Sequence, residues 1–323
     1  MILGSLLYLL AGAVLLYFGA EWLVSGSTGL ARLFRIPSLI IGLTIVAYGT
    51  SSPEIVVGVQ ASVGGHGDIA LGTVLGSNIA NICLILGASA FLKPTKVNGT
   101  LIRRKVPVLL VTALALFFAL MDGTISRFEG FLFLLAGVLY TAWMIIDAKQ
   151  MMRAAQEGLA ATEESAEEAG GIDNTPSKSR TAAIALLGLI VLIVGGSLFV
   201  DGATSLALTL GMSKRLVGLT IVAIGTSLPE LAISLLAAWR GHSDIVVGNV
   251  VGSNIFNLVL CLGLAAMIAP ISSPKGSASF DVMVLLLTTA IAAFMIRKDR
   301  YVSRHEGGLL LCGYGVFLVL VAI

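Results

Sequence analysis

The sequence predicts an all-α integral membrane protein, with ten transmembrane helices arranged as two inverted five-helix repeats. Three observations carry that expectation. Hydrophobic residues make up 57% of the 323 residues and charged residues only 12%, too few charges to cover the surface of a soluble domain this long. Apolar runs of about 20 residues, enough to span a bilayer as a helix, recur ten times along the chain. Residues 42–81 also return, little changed, as residues 218–257.

The ten runs fall at 5–30, 38–62, 69–92, 106–121, 129–147, 181–209, 215–239, 245–270, 281–296 and 306–323. Both faces of each are apolar, as for helices that sit in lipid or against one another. Strand-like alternation is missing, which argues against a β-barrel. The opening Met1-Ile2-Leu3-Gly4 leads straight into the first run with no basic segment or cleavage pattern, so this run reads as a retained first span. Cys83, Cys261 and Cys312 lie in apolar runs without metal-type spacing and read as small packing residues.

Net charge, at +2, says little, but the placement of charge says more. When the ten runs are threaded, sixteen of the twenty lysines and arginines fall on the side that holds the connections after helices 1, 3, 5, 7 and 9. Only Arg127, Lys214, Arg215 and Lys275 fall on the other. Basic loops stay cytoplasmic, so both termini are expected outside and the central loop inside. The units are then 1–147, a linker at 148–180, and 181–323. The linker carries Glu157, Glu163, Glu164, Glu167, Glu168 and Asp173. Their spacing matches no calcium loop, and the segment reads as a solvated connection.

The repeat is the strongest signal. Residues 42–81 and 218–257 align without a gap at an offset of 176 and agree at 23 of 40 positions. Five helices per half is an odd number, so the second copy enters the membrane from the opposite side. Such inverted repeats are an architecture of secondary transporters, with the binding site near the midplane where the halves meet.

Each copy carries Gly-Thr-Ser-x-Pro-Glu, at Gly49–Glu54 and Gly225–Glu230. Both glutamates fall near mid-bilayer, where an unpartnered carboxylate costs about 3 kcal/mol or more. Apart from Arg215 at the very start of the seventh run, no lysine or arginine lies within the ten runs, so the counter-charge at mid-bilayer must be a proton or a mobile cation. Two carboxylates suit a hard divalent ion such as calcium. Pro53 and Pro229 cannot donate to the carbonyls of Gly49 and Gly225 and kink their helices. Freed carbonyls are tolerated at depth where they line a cavity. Thr50, Ser51, Thr226 and Ser227 add hydroxyl oxygens close by. A second motif, Gly-Ser-Asn-Ile-x-Asn, places Ser77 with Asn81 and Ser253 with Asn257 on shared helix faces. Glu21 and Asp201 lie nearer helix ends and read as structural or vestibule residues. His66, Asp68, His242 and Asp244 read as loop or helix-start chemistry.

These paired motifs resemble the two α-repeats of the calcium/cation antiporter superfamily, and the sodium/calcium exchangers with two such repeats, as in prokaryotes, in particular. The resemblance covers nearly the whole chain. It implies a ten-helix exchanger of a plasma (prokaryotic inner) membrane, with helices 2, 3, 7 and 8 carrying the ions. Glu54 and Glu230 would match the central calcium ligands, with oxygens of Thr50 and Thr226 beside them. Ser51, Ser77, Ser227 and Ser253, with the carbonyls of Ala47 and Ala223, would match the flanking sodium sites. Asn81 and Asn257 would line the middle position. Several family members carry Asp where Asn257 stands, and the departure argues against potassium dependence.

The expected function is therefore sodium/calcium antiport by alternating access, with exchange of protons or another divalent ion as the alternative. No cofactor, catalysis or nucleic-acid partner is expected; the partners are small cations and membrane lipid. Two rivals remain. An intramembrane hydrolase would want two acids sharing a water and has no use for the surrounding hydroxyls and amides. A passive channel would favour oligomeric symmetry over an inverted repeat.

Overall fold

The computed structural model describes residues 2–34, 38–65, 67–97, 99, 101–163, 177–211, 223–272 and 277–322. They form helical rods that we number α1 (Ile2–Phe34), α2 (38–63), α3 (67–92), α4 (101–119), α5 (Arg127–Glu163), α6 (Lys178–Thr209), α7 (223–240), α8 (Ser243–Ile268), α9 (Ser277–Asp299) and α10 (Arg304–Ala322). Seven of these are long and apolar enough to cross a membrane: α1, α3, α5, α6, α8, α9 and α10. The chain is a multi-pass helical membrane protein. Large apolar side chains such as Leu7, Leu10, Leu139, Leu187 and Val316 point outward, as a lipid-facing surface requires.

The remaining three rods have identifiable reasons for missing that criterion. The α2 helix breaks at Ser51 (φ −83°, ψ 6°) and α7 breaks at Ser227 (φ −90°, ψ 7°), each just before the motif proline. The first part of α7's expected run, 215–222, lies outside the described residues. The regular α-helical part of α4 covers only Val106–Ala119. The α5 helix runs on to Glu163, through 148–163 of the expected linker; that stretch is rich in Ala, Met, Gln and Glu, which favour helix.

Four two-residue strands join the rods: β1 (Thr95–Lys96), β2 (Thr124–Ile125), β3 (Ile271–Ser272) and β4 (Tyr301–Val302). Pairing is antiparallel, β1 with β4 and β2 with β3. The first pair ties the connection after α3 to the one between α9 and α10. The second ties the connection between α4 and α5 to the one after α8.

The apolar interior forms two clusters. The larger gathers buried residues of α3, α4, α5, α8, α9 and α10, among them Leu75, Ile82, Leu116, Met144, Leu262 and Leu285. The smaller gathers α1, α6 and α7 residues, including Leu23, Leu30, Leu192, Ile233 and Ala237. Both α2 and α8 contribute to each: Leu43 and Val250 to the larger, Val46 and Val246 to the smaller.

The α1 and α6 helices lie antiparallel in very close contact. Gly12, Gly19 and Gly26 back onto Phe199, Leu192 and Ala185, while Gly188, Gly195 and Gly202 back onto Leu23, Leu16 and Leu9. A Cβ built on Gly19 would sit 2.5 Å from the Leu192 nitrogen. Each stripe repeats every seven residues, and an offset of 176 carries one stripe onto the other. Glycine is needed because nothing larger lets two helix backbones approach this closely.

Candidate functional site

Two elements of sequence build the site. The Gly-Thr-Ser-x-Pro-Glu motif interrupts α2 and α7, and its proline starts a new helix whose first turn holds the glutamate. Proline is well placed at such a start because the N–H it lacks has no helical partner there. The Gly-Ser-Asn-Ile-x-Asn motif ends at the opposite kind of irregularity. Wide π-type turns begin at Asn81 in α3 and at Asn257 in α8. Such turns are frequent at functional sites.

These four irregular segments converge. Glu54 and Glu230 are each 1% exposed. The hydroxyl of Ser51, in the first repeat, donates to Oε1 of Glu230, in the second, at 3.2 Å. Ser77 Oγ donates to Oε1 of Glu54 at 3.4 Å. Asn81 Nδ2 donates to Oδ1 of Asn254 at 2.9 Å, and Asn254 Nδ2 donates to the carbonyl of Asn78 at 3.3 Å. The polar groups of the two halves are thus knitted together.

Many oxygens remain without a hydrogen-bond partner: Oε2 of Glu54 and of Glu230, Oδ1 of Asn78, Asn81 and Asn257, and the hydroxyls of Ser227 and Ser253. Buried polar atoms are ordinarily paired. So many unpaired acceptors in one region leave room for a cation that takes oxygen ligands. Among the described residues no group of three His, Cys, Asp or Glu gathers to hold a resident metal. The set is two carboxylates among neutral oxygens.

Of the expected positions, Thr50, Ser51, Glu54, Ser77, Asn81, Ser227, Glu230, Ser253 and Asn257 are all buried, and Thr226 partly so. Thr50 turns its hydroxyl to the carbonyl of Val46 at 3.0 Å and toward Asn249 Oδ1 at 3.4 Å. The carbonyl of Ala47 accepts from Ser51 N at 3.1 Å. Ala223 opens the helical stretch Ala223–Gly225.

Several residues escaped sequence reasoning. Asn249 donates to Ser234 Oγ at 3.0 Å and to the Glu230 carbonyl at 3.4 Å, bracing the start of the second half-helix. The counterparts of Asn249 and Ser234 in the repeat are Thr73 and Gly58, so comparing the halves gave no signal. Asn78 and Asn254 sit inside the repeated motif and were legible there. Cys261 donates to the carbonyl of Glu54 at 3.2 Å, a hydrogen bond beyond its packing.

Of the residues nearer the helix ends, Glu21 pairs with Arg240, joining α1 to α7. Asp201 is exposed and lines a cavity of about 220 Å³ with Pro53, Pro229 and Thr226, so this cavity reaches the site's edge. His66 lies outside the described residues; His242 and Asp244 lead into α8. Sequence reasoning also missed a buried ion cluster where α4 meets α5. Asp147 holds Arg104 at 2.8 Å and Lys105 at 3.5 Å, and the Lys105 ammonium lies 3.5 Å from the centre of the Trp143 ring.

A helical membrane protein whose halves meet around two carboxylates and a ring of neutral oxygens belongs to the class of ion transporters. Comparison with known proteins makes the class specific. The family model described as sodium/calcium exchanger protein matches residues 4–146 and again 181–323. The chain is 40% identical to the putative antiporter CaxA of Alkalimonas amylolytica, covering 95% of each. It is 29% identical to the sodium/calcium exchanger MaX1 of Methanosarcina acetivorans, covering 99% of each. Among solved structures, the sodium-calcium exchanger NCX_Mj soaked with 10 mM Na+ and 10 mM Sr2+ superimposes with a TM-score of 0.84 at 32% identity, over 99% of both chains. The chain belongs to the sodium/calcium exchanger family of antiporters.

Proposed function

We propose that the chain exchanges sodium for calcium by alternating access at the central site, through ten spans in two inverted halves. The observation that carries this reading is the pair of buried glutamates, each bonded to a hydroxyl through one oxygen and free at the other. A site with these two charges and no ion is costly to carry through the membrane. Calcium or several sodium ions neutralise it, so only loaded states cross, and exchange follows. Glu54 and Glu230 then hold calcium with oxygens of Thr50 and Thr226. Ser51, Ser77, Ser227, Ser253 and the carbonyls of Ala47 and Ala223 serve sodium, and Asn81 and Asn257 line the middle.

The short strands support the inversion. An offset of 176 carries β1 onto β3, and one of 177 carries β2 onto β4. The β1–β4 ribbon therefore maps onto the β3–β2 ribbon, and α4 runs from the first ribbon to the second. Equivalent parts of the halves thus lie at opposite ends of the molecule. The arginine and lysine bias favours an orientation with both termini outside and the linker in the cytoplasm.

The test is calcium-45 uptake into sodium-loaded proteoliposomes for the wild type and Glu54→Gln. Uptake that requires the outward sodium gradient and is lost in the variant is the expected result. Uptake driven by a proton gradient alone moves the chain to proton/calcium exchange. No coupled uptake under any gradient overturns the calcium assignment.

A further inference from the structure

Three arginines converge away from the central site. Arg103, near the start of α4, and Arg297 and Arg300, around the end of α9, line a cavity of about 350 Å³ with Gly99, Ile102 and Pro107. Among the described residues no carboxylate lies within ion-pair distance of any of the three. Arg300 has φ +52°, the left-handed region, and is the one described residue other than glycine with positive φ. Its counterpart before the other ribbon is Gly123, at φ +86°. The fold thus turns the chain with glycine at one end and places an arginine at the other, where that backbone is unfavourable. At an offset of 176, Arg103 and Arg297 correspond to Ser279 and Met121. The basic cavity has no equivalent in the other half, so the architecture does not require it.

The height of the cavity identifies the kind of ligand. The apolar part of α4 begins at Val106, directly after the basic residues, and the apolar span of α9 ends at Lys298. The arginines therefore sit where hydrocarbon gives way to headgroups. A second cavity, of about 330 Å³, is almost wholly apolar; it runs along Val108, Val111, Ala136 and Val259 and shares Pro107 with the first. A charged compartment joined to an apolar groove at the bilayer boundary matches one amphiphilic molecule.

We propose that this pair of cavities binds an anionic phospholipid, its phosphate held by Arg103, Arg297 and Arg300 and one acyl chain laid along Val111. Guanidinium groups hold phosphate oxygens in paired hydrogen bonds, and basic pockets between transmembrane helices are suited to anionic headgroups.

The test uses the purified full-length chain in detergent and native mass spectrometry with phosphatidylglycerol and phosphatidylcholine of identical chains. The wild type should retain phosphatidylglycerol at least about tenfold better, in line with several arginines near one phosphate. Arg297→Gln with Arg300→Gln should abolish that preference. Lys149→Gln with Lys178→Gln, an equal change of charge elsewhere, should leave it intact. Val111→Trp, which fills the groove, should weaken retention several-fold. Equal loss in both double variants would reduce the effect to diffuse charge and overturn the site. Displacement of the lipid by millimolar inorganic phosphate or glycerol phosphate would assign the pocket to a soluble phosphate instead. No preference in the wild type would also overturn the proposal.

Discussion

Replacing Gly19 with alanine tests the α1–α6 contact directly. The added Cβ would lie 2.5 Å from the Leu192 nitrogen and 2.7 Å from its Cα. Ordinary contact between such atoms is about 3.5–4.0 Å, so the two helices must separate by about 1 Å at this level. Overpacking of this kind costs about 1–3 kcal/mol. Gly195→Ala meets the same wall from the other side, with its Cβ 2.7 Å from the Leu16 nitrogen. Once one alanine has parted the helices, the second finds much of its room already made, so the double variant should lose less than the two singles combined. Gly72→Ala is the control, since nothing lies within 4 Å of its added Cβ. Unfolding in detergent micelles, followed by circular dichroism, reads all four proteins. A Gly19→Ala variant as stable as Gly72→Ala, or fully additive losses, would refute the close approach.

Glu230→Gln keeps the side-chain volume and removes the charge, so exchange in proteoliposomes should fall to background while the melting temperature holds or rises. Lys105→Met leaves Asp147 with the half-exposed Arg104 alone; thermal melting should show a loss smaller than the ~3–5 kcal/mol of a fully buried pair, partly restored by adding Asp147→Asn. In the α7–α8 connection, burial and then Arg240, Arg32 and Lys93 hold the His242 imidazole below its usual range. Its stabilising effect is therefore complete above the unfolded pKa of about 6.5 and is lost as pH falls toward the folded value. Melting curves from pH 8 to 5 should decline less steeply for His242→Gln.

The sequence made some of this legible through repetition and some through hydropathy. Glu54 and Glu230 stood out because charge in an apolar run is expensive and appears twice at one spacing. The broken α2 and α7 followed from their prolines. What stayed hidden depends on contacts between distant segments. Asn249 and Ser234 brace Glu230 in one half only, so the repeat could not reveal them. Lys105 lies just ahead of an apolar run, and its burial beneath Trp143 depends on where α5 packs. The glycine stripes of α1 and α6 were present in the sequence, but their partners could not be read from spacing alone.

The division of the apolar interior into two clusters has a mechanical consequence. Both ribbons tie together connections between rods of the larger cluster, which fastens it at two ends. The α1 and α6 helices bear neither ribbon and are joined face to face by their glycines. The molecule thus combines a ribbon-bound frame with a helix pair that bears no ribbon, and the oxygen-rich site lies along α2, α3, α7 and α8. Under the proposed alternating access, the occupancy of the site's carboxylate and amide oxygens would set the cost of moving this pair against the frame.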